Sequence, residues 1–165
     1  MDGSPVLPDV LSPGLRVIFC GSAAGARSAQ RQAYYAGPGN RFWPLLCQLG
    51  LTPRLLRPEE YQEVLASRIG LTDLAKAVFG PDRRLPEDCY DPESLRRRIE
   101  ACRPGCLAFN GKRPAQAFLG RMADYGLQPE AIGATRIVVL PSTSRANAGF
   151  QEGPWRDLAR LVRDL

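Results

Sequence analysis

Histidine is absent from the 165-residue chain. This excludes Ser-His-Asp and Cys-His catalysis, a histidine general base and metal ligation by imidazole. Any catalysis must use carboxylates, amides, hydroxyls, thiols or the backbone. Five cysteines are present, but no pair is spaced Cys-x-x-Cys, and the closest pair is Cys102 and Cys106. Zinc and iron–sulfur sites need tighter and usually repeated spacing, so we predict reduced cysteines and no metal site.

Long hydrophobic runs are also absent. No stretch approaches the ~18 apolar residues that span a membrane. The N-terminus carries Asp2 and several prolines, which is not typical of a signal peptide. We therefore expect a cytoplasmic protein with no membrane partner. We also expect a monomer.

Lysine is scarce, since Lys76 and Lys112 are the only two, and arginine carries most of the positive charge. The formal net charge is +5. Arginine matches phosphate geometry better than lysine does, and a basic domain favours a polyanion such as DNA as its partner.

Three short apolar runs predict buried strands at residues 16–20 (RVIFC), 106–110 (CLAFN) and 136–140 (RIVVL). Helical spacing and helix-start residues predict helices over 41–50, 58–69, 72–78, 92–102, 114–125 and 154–165. The proline-containing residues 1–14 are predicted to be an irregular lead-in, and residues 15–165 a single domain. The alternation of strands with helices predicts a three-layer α/β/α fold around a parallel sheet.

The segments that follow the three strands are expected to meet, because ligands of parallel sheets bind at the carboxyl ends of the strands. The first is a long loop over residues 21–40, of a length that is usually functional. Its small residues would let the backbone approach a ligand closely, and they are Gly21, Ser22, Ala23 and Gly25. A polar, turn-rich segment follows later, at residues 80–92.

Each candidate site residue also has a simpler interpretation. Tyr34 and Tyr35 could offer a ring for base stacking, or could merely pack, one buried and one half-exposed. Asn110 could read the edge of a pyrimidine, or could only end its strand in a turn. Thr72 or Asp73 could be an ordinary helix N-cap.

The third strand-end loop contains hydroxyls and amides that could clamp a phosphate, while its arginine could wedge into the space left by a flipped base. A cluster of helix N-cap residues is the alternative. The loop comprises Ser142, Thr143, Ser144, Arg145, Ala146 and Asn147.

Four segments, taken in order, resemble the uracil-DNA glycosylase superfamily, and within it the mismatch-specific uracil/thymine-DNA glycosylases. They are YAGPGNRFW at 35–43, GLT at 70–72, FNGK at 109–112 and LPSTS at 140–144. The resemblance extends from about residue 16 to the C-terminus. It implies a central parallel four-stranded sheet between helices, and a base flipped into a pocket at the strand ends. It also implies that Tyr35 stacks on the base, that Asn110 faces it, and that residues 142–147 penetrate the duplex and grip the phosphates.

The first motif departs from this resemblance. The family has Gly-x-Asn-Pro-Gly or a relative, in which an Asn or Asp holds the attacking water, whereas Ala23 stands at that position here. We predict that Asp73 replaces it, because a nearby anion stabilises an oxocarbenium-like sugar as well as positioning water. Asn40 is the alternative, and backbone-only chemistry or no chemistry stays open.

The sequence thus predicts a monofunctional DNA glycosylase that needs no cofactor and removes uracil or a related deaminated base in the first step of base excision repair. Lys112 is predicted to contact DNA. A lyase would need an amine nucleophile, and Lys112 is the only lysine at a strand end. One alternative is a non-catalytic module that binds damaged DNA, which would explain Ala23. The other is a small-molecule nucleotide-binding enzyme, although the first loop lacks the usual phosphate-binding patterns. Spacing does not select among uracil, mismatched thymine, hypoxanthine and xanthine, nor between single and double strands.

Overall fold

The structure is a computed structural model that describes residues 4–165. Its strands are β1 (Val17–Gly21), β2 (Ile69–Asp73), β3 (Cys106–Asn110), β4 (Gly126–Ile132) and β5 (Thr135–Leu140). Its α-helices are α1 (Ala26–Arg31), α2 (Phe42–Gln48), α3 (Pro92–Cys102), α4 (Lys112–Leu119) and α5 (Gly153–Arg163). Three 3₁₀ helices cover Pro58–Ser67, Asp82–Arg84 and Glu87–Cys89.

The five strands form one sheet in the order β2-β1-β3-β5-β4. Neighbouring strands are parallel from β2 through β1 and β3 to β5, and β4 runs antiparallel to β5. Gly21 is in register with Asp73, and Asn110 is in register with Leu140. The carboxyl ends of the four parallel strands therefore share one edge of the sheet.

Helices cover both faces of this sheet. Alternate side chains of β1 point to opposite faces, so Phe19 packs on one side while Ile18 packs on the other. The Phe19 ring lies 5.3 Å from that of Phe42 in α2 and 5.4 Å from that of Trp155 in α5. The opposite face is covered by buried residues of α3 and α4. The α/β prediction and its three layers are confirmed.

The three predicted strands are present as β1, β3 and β5, each within one residue of its expected bounds, and α3 has its predicted bounds. The helix predicted over residues 72–78 is wrong, because Thr72 and Asp73 end strand β2 and are not N-caps. Gly70 allows this strand to lie against the N-terminal segment, since a Cβ there would be only 2.8 Å from the carbonyl oxygen of Val10.

The expected four-stranded parallel sheet needs a second correction, because a fifth, antiparallel strand is present. The turn between β4 and β5 consists of Gly133 and Ala134, and Gly133 adopts a φ of +58°, as tight hairpins require. The helix predicted over residues 114–125 is shorter than expected. It ends at Leu119 because Gly120, with a φ of +73°, terminates it.

Two further segments differ from their sequence descriptions. The long loop at residues 21–40 contains a short helix, α1. Residues 4–14 form no helix or extended strand, but Leu7 and Val10 are buried, and Val10 forms an isolated antiparallel bridge to Leu71. Within the described residues, no helix is both long and apolar enough to cross a membrane. The domain bounds stay a prediction, and residues 1–3 of the lead-in lie outside the described residues.

Candidate active site

A cleft of about 590 Å³ opens where the parallel strands end. Most residues singled out from the sequence contribute to it. Those that line it are Gly21, Ser22, Ala23, Gly25, Tyr35, Asn40, Asn110, Ser142, Thr143, Ser144, Ala146 and Asn147. Asp73, Lys112 and Arg145 are not among its lining residues. The expected convergence of the three strand-end loops is therefore present.

Tyr35 forms part of the cleft wall with a strained backbone. Its φ is +53°, in the left-handed region that bulky residues rarely adopt. Its ring stacks on Phe42 with centroids 4.0 Å apart. The neighbouring Tyr34 is buried and donates its hydroxyl to the carbonyl oxygen of Pro8, whereas Tyr35 is only partly buried. Strain of this kind is commonly kept at functional sites, and Tyr35 is the tyrosine that reaches the cleft.

Asp73 lies directly behind Gly21. Its side chain is 4% exposed, and a Cβ added to Gly21 would be 2.8 Å from Asp73 Oδ1 and 3.4 Å from the hydroxyl of Tyr35. That buried hydroxyl has no hydrogen-bond partner of good geometry within residues 4–165, although the nearby Asn110 lowers its pKa. Burial, and then Asp73, raises the pKa of Tyr35 well above its usual value. Gly21 therefore separates the cleft from the buried carboxylate of Asp73 and leaves no room for a larger side chain.

Burial raises the pKa of Asp73 from 3.8 to about 6. Lys76 and Arg98 oppose this rise, and Asp9 adds to it. Asp9 belongs to the N-terminal segment and accepts a hydrogen bond from Thr72 Oγ1 at 2.7 Å. Its carboxylate also lies 2.8 Å from Lys76 Nζ and 3.6 Å from Arg98 Nε. The protonation of Asp73 near neutral pH therefore depends on a charge cluster that the N-terminal segment completes.

Asn110 holds the third strand-end loop. Its Oδ1 accepts from the backbone N–H of Thr143 and its Nδ2 donates to Thr143 Oγ1, both at 2.9 Å. The backbone N–H of Arg41 also donates to the carbonyl oxygen of Thr143, at 2.9 Å. A side-chain amide has two N–H groups and two oxygen lone pairs. One of each remains on Asn110, which ends β3 and lines the cleft.

The third loop does not begin a helix, so its helix N-cap interpretation is wrong: α5 starts only at Gly153. Ser142 Oγ and Ser144 Oγ each accept a backbone N–H of the same loop, at 3.2 Å. Asn147 Nδ2 donates to the carbonyl oxygen of Ser142 at 2.9 Å. These bonds leave the serine hydroxyl protons available to an acceptor in the cleft, such as a phosphate oxygen.

Two predicted DNA contacts lie beside the cleft. The exposed Arg145 places its methylene groups on the turn at Gly39, where an added Cβ would be 2.9 Å from Arg145 Cδ. Lys112 begins α4 and holds its ammonium 4.6 Å from the ring centroid of Tyr125. Contact of either side chain with DNA stays a prediction.

One wall of the cleft was not predicted from the sequence, and it is formed by Gly80, Pro81, Asp82 and Arg83. Ser22 Oγ donates to Asp82 Oδ1 at 2.7 Å across the gap between this wall and the first loop. Arg27 and Ser28 of α1 also line the cleft. Because β2 was not predicted, nothing placed the turn-rich segment that follows it at the strand-end edge.

No group of three or more acidic or cysteine side chains among residues 4–165 is arranged to hold a metal ion. All five cysteines are unpaired. The polar groups of the cleft are amides, hydroxyls, guanidinium groups and the carboxylate of Asp82.

The fold and the cleft together define an α/β protein whose site lies at the carboxyl ends of parallel strands. The sequence profile of the uracil DNA glycosylase superfamily matches residues 8–165, and the chain belongs to this superfamily. It is also similar to the NMR solution structure of a candidate uracil DNA glycosylase from Methanosarcina acetivorans, with a TM-score of 0.64 and 23% identity. That match covers 98% of this chain and 97% of the other, and it confirms the fold. The mismatch-specific branch indicated by the motifs stays a prediction.

Proposed function

We propose that this protein is a monofunctional DNA glycosylase that hydrolyses the N-glycosidic bond of uracil, or of a related deaminated base, flipped out of DNA. The reaction would be the first step of base excision repair. One observation carries the proposal: in a member of this superfamily, a single cleft at the strand ends is lined by the first loop, Tyr35, Asn40, Asn110 and the third loop.

The base would lie between Tyr35 and the first loop. Tyr35 is rigidly supported by Phe42 and offers an aromatic surface for stacking. The N–H and lone pair of Asn110 that Thr143 does not use match a carbonyl next to a ring N–H, which is the pattern on the pairing edge of uracil. The glycine-containing loop from Gly21 to Gly25 would bring backbone groups to the same edge, as the family resemblance implies.

DNA would be held by phosphate contacts around this cleft. The serine hydroxyls of the third loop keep donors available, as described above, and α1 and the missed wall add the guanidinium groups of Arg27 and Arg83. Contacts of this kind fix the position of a duplex or a single strand without reading its sequence. The base itself would be selected by Tyr35, Asn110 and the backbone of the first loop.

Two side chains support hydrolysis in different ways. Asn40 lines the cleft, and its Oδ1 accepts the backbone N–H of Phe42 at 3.0 Å, which fixes the amide. Its Nδ2 has no partner within residues 4–165 and could orient a water molecule. Asp73 is behind Gly21, so its position favours electrostatic stabilisation of the sugar cation over direct contact with water. The base would leave as an anion, and no cofactor is needed.

Ala23 favours a second candidate function, a module that binds damaged DNA without cleaving it. Ala23 lines the cleft at the position where the family resemblance expects the residue that holds water. A methyl group can neither orient nor deprotonate water. The remaining features of the cleft would serve binding equally well.

The deciding experiment is a single-turnover assay with the protein in excess over labelled oligonucleotides. Each oligonucleotide carries one uracil, hypoxanthine or mismatched thymine, in single- or double-stranded form, and alkali reveals abasic sites. Alkali-dependent cleavage at uracil supports the glycosylase. Selective binding to the damaged strand without base release on any substrate would replace it by the binding module.

A further inference from the structure

Asp82 is the only carboxylate among the described residues that line the cleft. Its Oδ1 accepts the hydroxyl of Ser22 at 2.7 Å, and its Oδ2 has no partner within the described part of the chain. Ser22 is 6% exposed, whereas Asp82 is exposed. The carboxylate is thus held through Oδ1 by a buried donor, and Oδ2 stays unbonded in a side chain that lines the cleft.

The backbone around Asp82 is docked on the first loop. The N–H of Gly80 donates to the carbonyl oxygen of Ala24 at 2.9 Å, next to an isolated bridge between Ala24 and Phe79. The N–H of Leu85 donates to the carbonyl oxygen of Asp82 at 3.1 Å, closing a short 3₁₀ turn. The position of Asp82 beside the first loop is therefore set by main-chain bonds as well as by Ser22.

An acid in this place is electrostatically unfavourable for simple DNA binding, because it repels phosphates. Arg27 and Arg83 line the same cleft and offer the opposite charge. A carboxylate that lines the cleft and is bonded to Ser22, the residue before Ala23, is more useful for chemistry than for affinity. Ala23 is the position that lacks a group to act on water, and Ser22 is its neighbour in the chain.

We propose that Asp82 is a catalytic carboxylate of this cleft, supplied by the segment after β2 to perform the task that Ala23 cannot. This inference rests on the proposed glycosylase function. As the oxygen of water bonds to C1′ of the deoxyribose, the N-glycosidic bond breaks and its electron pair leaves with the base nitrogen. The proton of the attacking water passes to Asp82 Oδ2 and from there to solvent or to the departed base anion.

The three polar groups then have separate tasks. Asn40 orients the water, Asp82 accepts its proton, and Asp73 acts from behind Gly21 on the charge of the sugar. DNA that covers the cleft would exclude bulk solvent, which strengthens the effect of a carboxylate that is exposed in the free protein. Removing a general base of this kind commonly reduces rates by about 10²–10⁴-fold.

The test compares Asp82→Asn with Asp88→Asn in single-turnover base release on the substrate that the wild-type protein cleaves best. Asp88 is an exposed acid of the same turn-rich segment that does not line the cleft, so it controls for a general change of charge. We expect Asp82→Asn to lose about 100-fold or more in rate, and Asp88→Asn to stay within threefold of wild type. Affinity for an uncleavable 2′-fluoro substrate should be unchanged or tighter in Asp82→Asn, because a negative charge is removed.

A second pair of measurements separates chemistry from support of the loop. Added formate should restore part of the rate of Asp82→Ala, since a small carboxylate can take the vacated place, and should not accelerate the wild type. A rate for Asp82→Asn within tenfold of wild type would overturn the catalytic role while leaving the glycosylase intact. A wild-type protein that releases no base from any substrate would instead remove the proposed function itself.

Discussion

Asn110 and Thr143 bind each other through two reciprocal hydrogen bonds, one to the backbone N–H of Thr143 and one to its hydroxyl, both 2.9 Å long. Both residues are buried, and they join the end of β3 to the loop that follows β5. A residue expected to face the base therefore also anchors the loop expected to grip DNA. Perturbing one function should perturb the other.

Thr143→Val tests this link. Valine keeps the shape but removes the acceptor for Asn110 Nδ2, which leaves a buried donor with one partner fewer. The expected loss is about 1–3 kcal/mol in the free energy of unfolding, measured by urea denaturation. Affinity for DNA should fall as the loop loosens. Thr143→Ser retains the hydroxyl and should stay close to wild type in affinity; equal affinity of both variants would show that the bond does not hold the loop.

Gly21→Ala should reduce both stability and base release, because it crowds Asp73 behind the cleft. The added Cβ would be 2.8 Å from Asp73 Oδ1, closer than unstrained contacts allow, and the short carboxylate side chain has little room to move. We expect about 1–3 kcal/mol of destabilisation from overpacking, and at least a tenfold loss in single-turnover base release.

The matched control for this change is Gly25→Ala in the same loop. A Cβ at Gly25 meets nothing within 4 Å, and its φ of −69° is acceptable to alanine. Gly25→Ala should therefore leave the free energy of unfolding almost unchanged, although Gly25 itself lines the cleft. If it destabilises the fold as much as Gly21→Ala does, the loop needs glycines for a reason other than the contact with Asp73.

The raised pKa of Asp73 makes stability depend on pH in a defined direction. Its value of about 6 in the folded protein, against 3.8 ordinarily, means that the folded state binds the proton more tightly than the unfolded state. Its contribution to stability is full below about pH 4 and is lost as pH rises through 6. Asn at this position does not titrate, so Asp73→Asn should gain on the order of 2–3 kcal/mol relative to wild type between pH 4 and 7. Urea denaturation of both proteins at several pH values measures this difference, and a constant difference would contradict the shift.

The N-terminal segment should influence the same titration. Asp9→Asn removes a negative charge that raises the pKa of Asp73, while leaving an acceptor for Thr72. We expect the pKa of Asp73 to fall, observed by NMR titration of its side-chain carboxyl carbon. Stability should decrease by roughly 1–3 kcal/mol, because Lys76 and Arg98 lose their partner in a partly screened site. Asp88→Asn is the control. If the titration of Asp73 is unchanged in Asp9→Asn, the N-terminal segment does not influence the pKa of Asp73.

The central strands and most cleft residues were predictable from sequence, because local signals agreed with the fold. β1 and β3 are short apolar runs ended by glycine or asparagine, and strand ends of a parallel sheet must share an edge. β2 was not predictable in this way. Its sequence, IGLTD, is buried by β1 on one side and by the N-terminal segment at Val10, and neither contact is visible as periodicity.

One wall of the cleft was not predicted for the same reason, namely that β2 was not recognised. Asp82 belongs to a turn-rich segment that has no hydrophobic pattern, and only its position after β2 brings it to Ser22. Asp73 illustrates the opposite difficulty. Its proximity to the site was predicted from the family resemblance of the preceding GLT segment, but its place behind Gly21 depends on the register of two strands. Sequence therefore predicted most residues that line the cleft, but neither the wall after β2 nor the exclusion of Asp73 from the lining.

Arg27 and Arg83 line the cleft and should contact phosphates if DNA binds there. Each phosphate contact releases about one counterion, so Arg27→Ala and Arg83→Ala should each reduce the slope of log K against log salt by about 1. Affinity should weaken similarly for all sequences, because phosphates carry no sequence information. Arg121→Ala is the control, since Arg121 pairs with Glu130 at 2.5 Å and does not line the cleft. Fluorescence anisotropy with an uncleavable oligonucleotide at several salt concentrations measures the slopes. Slopes for the two cleft variants equal to that of Arg121→Ala would mean that the DNA backbone does not cross the cleft at these residues.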